Sequence, residues 1–427
     1  MLMAIAPVGA LLLSVALLLT GNGLQGTLLP VRASMENFSA LSIGVLGASY
    51  YSGFVVGCMV TPRLIQRVGH IRLFTAMVAA ASVTPLLHAL VVTPVFWWIL
   101  RALTGLFLAS LYLIIESWLN ERATSANRGM VFTTYTTVNF TVLTLGQLLM
   151  LTDDPKNFPL YTIASILVSL AAIPVALTRS PQPAPVKVAR LSFTNLFRIS
   201  PVGVMGCIVV GLANGSFWAL GPTYVLRSGF GVREVALFMS AVVIGGALSQ
   251  WPFGRLSDRV DRRLTILVAC GASAAAGLAL VLAGLMVPAL VLVAGALFGV
   301  FAFPVYALSV AHANDKATDA DFVAVAGGLL LINGIASAIG PLLASAAMAM
   351  TGPAGLFGFT AVVHAAMALY TAHRMRQRAA PADEDKSSFV SMPPTAPVRS
   401  DIDPRAPDTM PEPLGGEEEP PPERDAA

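Results

Sequence analysis

The segments LNERAT (119–124) and ANDKAT (313–318) repeat one charged pattern 194 positions apart in a chain of which only 11% of the residues are charged. In both segments an asparagine is followed by an acid, a base, an alanine and a threonine. The acid and base are Glu121 and Arg122 in the first copy, and Asp315 and Lys316 in the second. Chemically equivalent residues in the same order, where charge is scarce, indicate an internal duplication.

The surrounding sequence is strongly apolar. The chain has 427 residues and is 56% hydrophobic, whereas about a quarter of the residues of a soluble domain are charged. Apolar stretches of about 20 residues, long enough to cross a hydrocarbon core of about 30 Å, recur along the chain. A single soluble core does not bury so many such stretches. The sequence therefore predicts an all-α polytopic membrane protein.

Proline, glycine and charged clusters divide the chain into twelve candidate transmembrane helices, numbered here as spans 1 to 12. Their predicted bounds are 8–30, 41–62, 73–92, 95–118, 129–151, 158–178, 200–224, 234–254, 264–284, 287–311, 322–349 and 353–373. Long runs without two-residue alternation favour helices over the strands of a membrane barrel. We therefore predict two six-helix halves, a linker and a tail. The predicted segments are 1–178, the Pro-rich basic cytoplasmic linker 179–199, 200–373, and the disordered acidic Pro-rich cytoplasmic tail 374–427.

The distribution of lysine and arginine predicts the orientation. Loops on the side of the two termini hold 17 of these residues up to the end of span 12, and the opposite loops hold 4. Cytoplasmic loops are enriched in Lys and Arg, so we expect a multi-pass inner-membrane protein with both termini in the cytoplasm. Residues 379–427 carry 12 acids and 4 bases, a net charge of −8, so the rest of the chain carries +11 to give the total of +3. Contact with anionic lipid explains this basic body, and we expect no nucleic-acid partner.

The duplication extends beyond the opening pattern. Further matches occur at offsets of 194 and 192 in both polar and small residues. They are ALTG (102–105) with ALFG (296–299), Asn139 with Asn333, Asn22-Gly23 with Asn214-Gly215, Arg63-Leu64 with Arg255-Leu256, and Arg67-Val68 with Arg259-Val260. Two nearly equal offsets that hold across equivalent spans predict homologous halves in parallel orientation.

The loop after span 8, GRLSDRVDRR (254–263), resembles the Gly-x-Leu-x-Asp-Arg-x-Gly-Arg-Arg signature of the major facilitator superfamily, with Asp261 at the second glycine. The loop after span 2, PRLIQRVGHIR (62–72), is a weaker copy that has Pro62 for glycine and Gln66 for aspartate. Three further segments resemble the YcaD-like branch of bacterial sugar-type permeases. They are IIESWLNERATSANRG (114–129), VAHANDKA (310–317) and GLLLINGIASAIGPLLA (328–344).

This resemblance implies the twelve-helix fold of that superfamily, with parallel repeats about a midplane binding site. It also implies that the protein acts as a monomer and has a cytoplasmic gate. The expected gate residues are Arg63, Arg67, Glu121, Arg122, Arg255, Asp258, Arg259 and Asp315. We expect Glu121 and Asp315 to pair with the loop arginines when the gate is closed; solvated helix ends are the alternative.

Polar residues inside the spans are the candidates for substrate binding. Among these polar residues, Arg101 has the highest free-energy cost of insertion into the membrane, because an arginine in hydrocarbon costs about 2.5–3.5 kcal/mol on insertion scales. We expect it to face a wet cavity or to snorkel towards the interface. Amides and an aromatic platform suit a polyol or an amphipathic organic solute, although helix–helix hydrogen bonds are the alternative role. The candidates of this kind are Asn22, Gln25, Asn139, Gln147, Asn214, Trp218 and Asn333.

Glu116 is the candidate for proton coupling. It follows Arg101 by fifteen residues, about 22 Å along a helix, so the two do not pair. Burial of this carboxyl group would make it a proton carrier. The interpretation we favour is instead a structural ion pair with Arg67 or Arg72.

Sequence motifs for other functional classes are missing. The chain has no G-x-x-x-x-G-K-[ST] loop for ATP, no Cys/His metal pattern and no nucleophile elbow. We therefore expect neither an enzyme nor a primary pump, and no cofactor or metal. The leading hypothesis is a secondary transporter of a small organic solute, with proton coupling left open. Efflux of drugs or metabolites is one alternative, and a non-transporting sensor that acts through its tail is another.

Overall fold

The computed structural model describes residues 9–122, 128–177, 193–286, 288–317, 322–377 and Phe389, and all regular structure within these ranges is helical. Spans 1 to 5 are Gly9–Met35, Ala40–Val68, His70–Leu90, Pro94–Arg122 and Arg128–Leu148, the last continued by the 3₁₀ turn Leu149–Leu151. Span 6 is Pro159–Leu170 with Ala172–Ala176, and a short helix, Phe193–Ile199, precedes span 7. Spans 7 to 9 are Pro201–Arg227, Val232–Arg259 and Arg262–Met286. Span 10 is Pro288–Ala302 with Pro304–Asn314, span 11 is Phe322–Thr351 and span 12 is Gly355–Gln377.

Eleven of the twelve spans are long and apolar enough to cross a membrane, counted over the described residues. The exception is span 5, which contains six threonines. Four of its threonine hydroxyls donate to the carbonyl four residues earlier at 2.8–3.0 Å. These bonds satisfy the hydroxyls inside the helix, as an apolar surrounding requires. The predicted all-helical membrane fold is confirmed.

Several helices extend beyond their predicted ends. Span 1 reaches Met35 instead of residue 30, and span 2 reaches Val68 instead of residue 62, because Pro30 and Pro62 lie inside their helices. Neighbouring helices compensate for the lost backbone bond in membrane proteins, so proline is tolerated there. Span 10 is divided before Pro304, whose nitrogen has no hydrogen to donate.

The predicted linker and tail are described only in part. Residues 178–192 and the tail beyond 377, apart from Phe389, lie outside the described residues. The end of the linker, Phe193–Ile199, is helical, and its Leu196 is buried against Gly328 of span 11. The end of the linker is therefore packed against span 11 of the second half before span 7 begins.

The helices pack in two equivalent groups of six. Span 1 packs on span 5 as span 7 packs on span 11, and spans 2 and 4 correspond to spans 8 and 10. Spans 3 and 6 likewise correspond to spans 9 and 12. A close glycine contact between helices is repeated as well: Gly53 faces the Ala102 carbonyl, and Gly245 faces the Ala296 carbonyl. The duplication in the sequence is thus also present in the packing.

The bundle has two ends that differ in composition. We call the end that carries residues 63–72 and 255–263 the basic end, and the end that carries residues 30–47 and 219–227 the opposite end. The two groups of helices are in close contact at the opposite end. There the Ser34 hydroxyl donates to the Thr223 hydroxyl over 3.2 Å.

Glycines make that contact at the opposite end tight. A Cβ atom added to Gly44 would lie 2.7 Å from the Pro341 carbonyl oxygen, and one added to Gly47 would lie 2.3 Å from the Ala219 Cβ atom. Side chains larger than hydrogen therefore do not fit between the two groups at these positions.

Candidate functional site

A cavity lies between the two groups of helices, next to the contact of Gly47 with Ala219. Its volume is about 50 Å³, and it is partly open. Small residues create this space, and larger polar or aromatic side chains face it. Those side chains are Asn22, Thr27, Tyr50, Tyr51, Arg101 and Trp218. None of the described residues that line the cavity is acidic.

Arg101 places a buried positive charge at this cavity. Only 9% of the residue is exposed, and its guanidinium carbon lies 4.4 Å from the centre of the Tyr50 ring. Its Nε and Nη1 atoms have no hydrogen-bond partner within the described ranges. An aromatic face attracts the cation but does not neutralise it. The charge of Arg101 is therefore left without an acidic counterpart at the site.

Two tyrosines of the site were not predicted from the sequence. Tyr50 lies between Arg101 and the Asn22 side chain, and Tyr51 is within electrostatic range of the same guanidinium. The signal available in the sequence was an adjacent pair of tyrosines in the middle of span 2, where the flanking residues are small. That signal is weak because tyrosine is also common as a packing residue.

The second group of helices contributes Trp218. Its ring lies against Phe217 and Phe303, with centroids 5.3 and 5.9 Å away. The residue lines the cavity, and its indole Nε1 is buried with no acceptor among the described residues. Asn214, one turn earlier, is 7% exposed, and its Oδ1 atom also has no described donor.

The remaining amide candidates lie away from the cavity. Gln25 turns towards span 3, where its Nε2 atom is 3.5 Å from the Thr84 hydroxyl. Asn333 donates to the Cys207 carbonyl over 3.0 Å and so joins spans 11 and 7. Asn139 and Gln147 are fully buried in span 5. The structure therefore brings Asn22, Arg101 and Trp218 together and separates the other amides from them.

Glu116 lies in a different environment from the one we favoured. The residue is 3% exposed, and it is within electrostatic range of Tyr135 and Tyr306. The Arg67 and Arg72 side chains are both exposed, and neither forms an ion pair within the described ranges. The predicted pair is wrong because these arginines extend into water, whereas Glu116 lies almost two turns inside the end of span 4.

The expected gate contains one buried ion pair. Arg262 Nε lies 2.7 Å from Asp315 Oδ2, and both side chains are 1% exposed. Arg262 also donates to the Ser257 hydroxyl over 3.2 Å and lies 3.4 Å from Asp258. Asp315 thus meets an arginine at the start of span 9, and not Arg255 or Arg259 of the preceding helix. This pair fastens spans 9 and 10 to each other within the second group.

Arg262 was not among the predicted gate residues. Its only mark in the sequence was the double arginine that ends the signature. Applying the offset of 192 places His70 at the equivalent position of the first group. The two repeats therefore differ at this position. The second group has Arg262, which forms the buried ion pair, whereas the first group has His70.

The other expected gate residues are solvated or stacked. The side chains of Arg63, Arg67, Glu121 and Arg259 are exposed, and that of Arg122 lies outside the described residues. Arg255 is stacked 4.5 Å from the Trp251 ring. The role of these residues in a gate remains a prediction.

The signature loop has two further contacts of its own. Arg263 Nη2 lies 2.7 Å from Asp261 Oδ2. Partial burial by itself would raise the pKa of Asp261, but the hydrogen bonds and charge of Arg263 lower it below its usual value. The backbone N–H of Phe389 donates to Asp258 Oδ1 over 3.0 Å, and the Phe389 ring contacts Gly254. One tail residue is thus held against this loop.

Comparisons with known proteins agree with this architecture. The model of the Major Facilitator Superfamily matches residues 11–327. The protein named "Uncharacterized MFS-type transporter YcaD" from Escherichia coli O6:K15:H31 (strain 536 / UPEC) is 29% identical over 339 residues, which are 78% of this chain and 87% of the relative.

Two solved structures share the fold. A mutant form of the nucleoside transporter NupG aligns with a TM-score of 0.70 at 16% identity, over 86% of this chain and 99% of NupG. A bacterial homologue of the human lysosomal transporter Spinster, in an inward-facing and occupied conformation, aligns with a TM-score of 0.67 at 15% identity, over 88% of this chain and 98% of that protein. At these identities the likeness concerns the fold alone.

Proposed function

The chain belongs to the major facilitator superfamily, and from this membership we propose that it is a secondary transporter of a small organic solute that works by alternating access. One observation carries the proposal: a cavity between the two groups of helices is lined by Arg101 from one group and Trp218 from the other. A solute bound there contacts both groups. Its binding is therefore sensitive to their relative position, as alternating access requires.

The contacts at the opposite end supply the barrier for one of the two states. Gly44 against Pro341, Gly47 against Ala219, and the Ser34–Thr223 hydrogen bond all separate the cavity from that end. Opening a path there requires the two groups to move apart at these contacts. The cavity would then be exposed to the other side of the membrane without any change inside each group.

The orientation follows from the charges at the basic end. The Lys/Arg ratio of 17 to 4 supports a cytoplasmic position for the basic end and for both termini. In this orientation the contacts at the opposite end would close the cavity to the outside. Proton coupling, if present, requires a titratable group in the interior of a span, and Glu116 beside Tyr135 is the proposed group.

The decisive experiment is counterflow in proteoliposomes that contain the purified full chain. A library of organic acids, amines, polyols and nucleosides is screened with and without a pH gradient. We expect accumulation of at least one solute class over protein-free liposomes. Absence of exchange for every class, with protein shown to be folded by its thermal unfolding, would contradict the proposal.

A further inference from the structure

We infer that the solute is an organic anion whose negative group binds Arg101 and whose apolar part lies against Trp218 and Tyr51. This inference rests on the proposed function, because it names the solute class for the same cavity. It is carried by the charge and shape of the cavity, in the three observations that follow.

The first observation is the state of the arginine. Within the described ranges Arg101 makes no hydrogen bond and no ion pair, and its guanidinium carbon lies 4.4 Å from the centre of the Tyr50 ring. Glu116, on the same helix, is fifteen residues away, or about 22 Å. A buried guanidinium without a counter-charge is costly in a membrane. A carboxylate or another oxyanion in the cavity removes that cost by forming charge-assisted hydrogen bonds.

The second observation is the type of unsatisfied hydrogen-bonding atom in the residues that line the cavity. The Arg101 N–H groups and the Trp218 Nε1–H are donors, and neither set has an acceptor among the residues that the structure describes. An anionic group offers acceptors only, so it matches both sets at once. An organic cation would meet donors and a like charge instead. A neutral polyol would satisfy the donors but would leave the charge of Arg101 uncompensated.

The third observation is the space beside these groups. A Cβ atom added to Gly26 meets nothing within 4 Å, and Gly26 lines the cavity together with Gly23. Tyr51 and Trp218 supply aromatic rings to the lining of the cavity. The site therefore has room for a small apolar group next to the anionic group.

Binding assays with matched probes test the inference without requiring transport. Each probe is supplied as a carboxylate, as its neutral amide and as its amine: the benzoate, phenylacetate, hexanoate and lactate series. Affinity is measured on the purified full chain by tryptophan fluorescence and by the rise in the thermal unfolding temperature. We expect at least one carboxylate to bind tenfold or more tightly than its own amide, and no amine to bind as tightly as its carboxylate.

Two variants and a control locate the effect. Arg101→Gln should reduce carboxylate affinity at least tenfold and abolish the preference over the amide. Gly26→Leu fills the open space while keeping the charge, so it should weaken the larger carboxylates and preserve the preference among the smaller ones. Arg233→Gln, at an exposed position at the start of span 8, removes an equal charge outside the cavity and should change neither affinity nor preference.

The outcomes separate the inference from the proposed function. If no carboxylate binds, if amides bind as tightly as carboxylates, or if Arg101→Gln keeps the preference, the anion inference is overturned. Counterflow of a neutral or cationic solute would then still support a transporter. Anion binding with the stated preference but no flux of any solute would instead retain the anion site and contradict transport.

Discussion

Replacing Gly53 with alanine tests a close contact between spans 2 and 4. A Cβ atom at this position would lie 1.8 Å from the Ala102 carbonyl oxygen, 2.6 Å from its carbon and 2.9 Å from its Cα atom. Carbon–oxygen contacts between helices are comfortable at about 3.3 Å or more. Spans 2 and 4 must therefore separate locally by about 1.5 Å, because a backbone carbonyl inside a helix has no rotamer that relieves the clash.

The expected loss of stability follows from this displacement. Forcing extra atoms into a packed interior costs about 1–3 kcal/mol, and the better helix propensity of alanine offsets about 1 kcal/mol of that. Arg101 adjoins Ala102 and Tyr50 lies three residues before Gly53, so the same displacement moves the cation–ring contact of the cavity. We therefore expect Gly53→Ala to lower both the thermal unfolding temperature and the affinity for solute.

The assay is thermal unfolding of the detergent-solubilised protein as a fluorescent fusion. Size-exclusion chromatography after heating measures the fraction that remains folded. Gly271→Ala is the matched control, because a Cβ atom on Gly271 meets nothing within 4 Å. The repeat provides a second test: a Cβ atom on Gly245 lies 2.3 Å from the Ala296 carbonyl oxygen, so Gly245→Ala should also be destabilising. Equal unfolding temperatures for Gly53→Ala and Gly271→Ala would refute the reasoning.

Three further predictions concern charge and the tail. Asp315→Asn leaves the buried Arg262 with only its longer contact to the more exposed Asp258 and should destabilise the fold by about 3 kcal/mol, measured as a lower unfolding temperature; an unchanged temperature would show that the Arg262–Asp315 pair contributes nothing. Glu116→Gln should abolish uptake driven by a pH gradient while counterflow continues, and gradient-driven uptake that survives would remove Glu116 from the coupling. Deleting residues 379–427 removes the Phe389 contact with Asp258 but none of the spans, so flux in proteoliposomes should remain within about twofold of the full chain. Loss of flux on that deletion would favour a tail-dependent function.

Much of the fold was predictable because it depends on features that can be counted along the sequence. The length of an apolar run measures whether a helix crosses the bilayer, and the count of Lys and Arg in alternate loops predicts its direction. The errors at Pro30 and Pro62 arose because proline ends helices in water, whereas both residues lie inside membrane helices here. Span 5 was predictable as a helix even though its threonines make it the least apolar of the spans.

The candidate site was predictable only in its residue types. Arg101, Asn22 and Trp218 meet at one cavity, while Gln25 and Asn333 bond to neighbouring helices within their own groups. The sequence offered the same reason for suspecting each of them, which was a polar or aromatic residue inside an apolar helix. It contained only a weak sign of the role of Tyr50, the adjacent pair of tyrosines, and it suggested Arg67 or Arg72 as the partner of Glu116.

By itself, the sequence determined that the chain is a duplicated bundle of membrane helices, because repeated residues and apolar lengths need no partner to be recognised. Only the tertiary structure decided which side chains face the cavity and that Arg262 is the partner of Asp315. The physical reason is that lipid and protein interior are both apolar. A membrane helix therefore carries little periodic contrast between its lipid-facing and buried sides, and the direction of each polar residue is settled only when the helices pack.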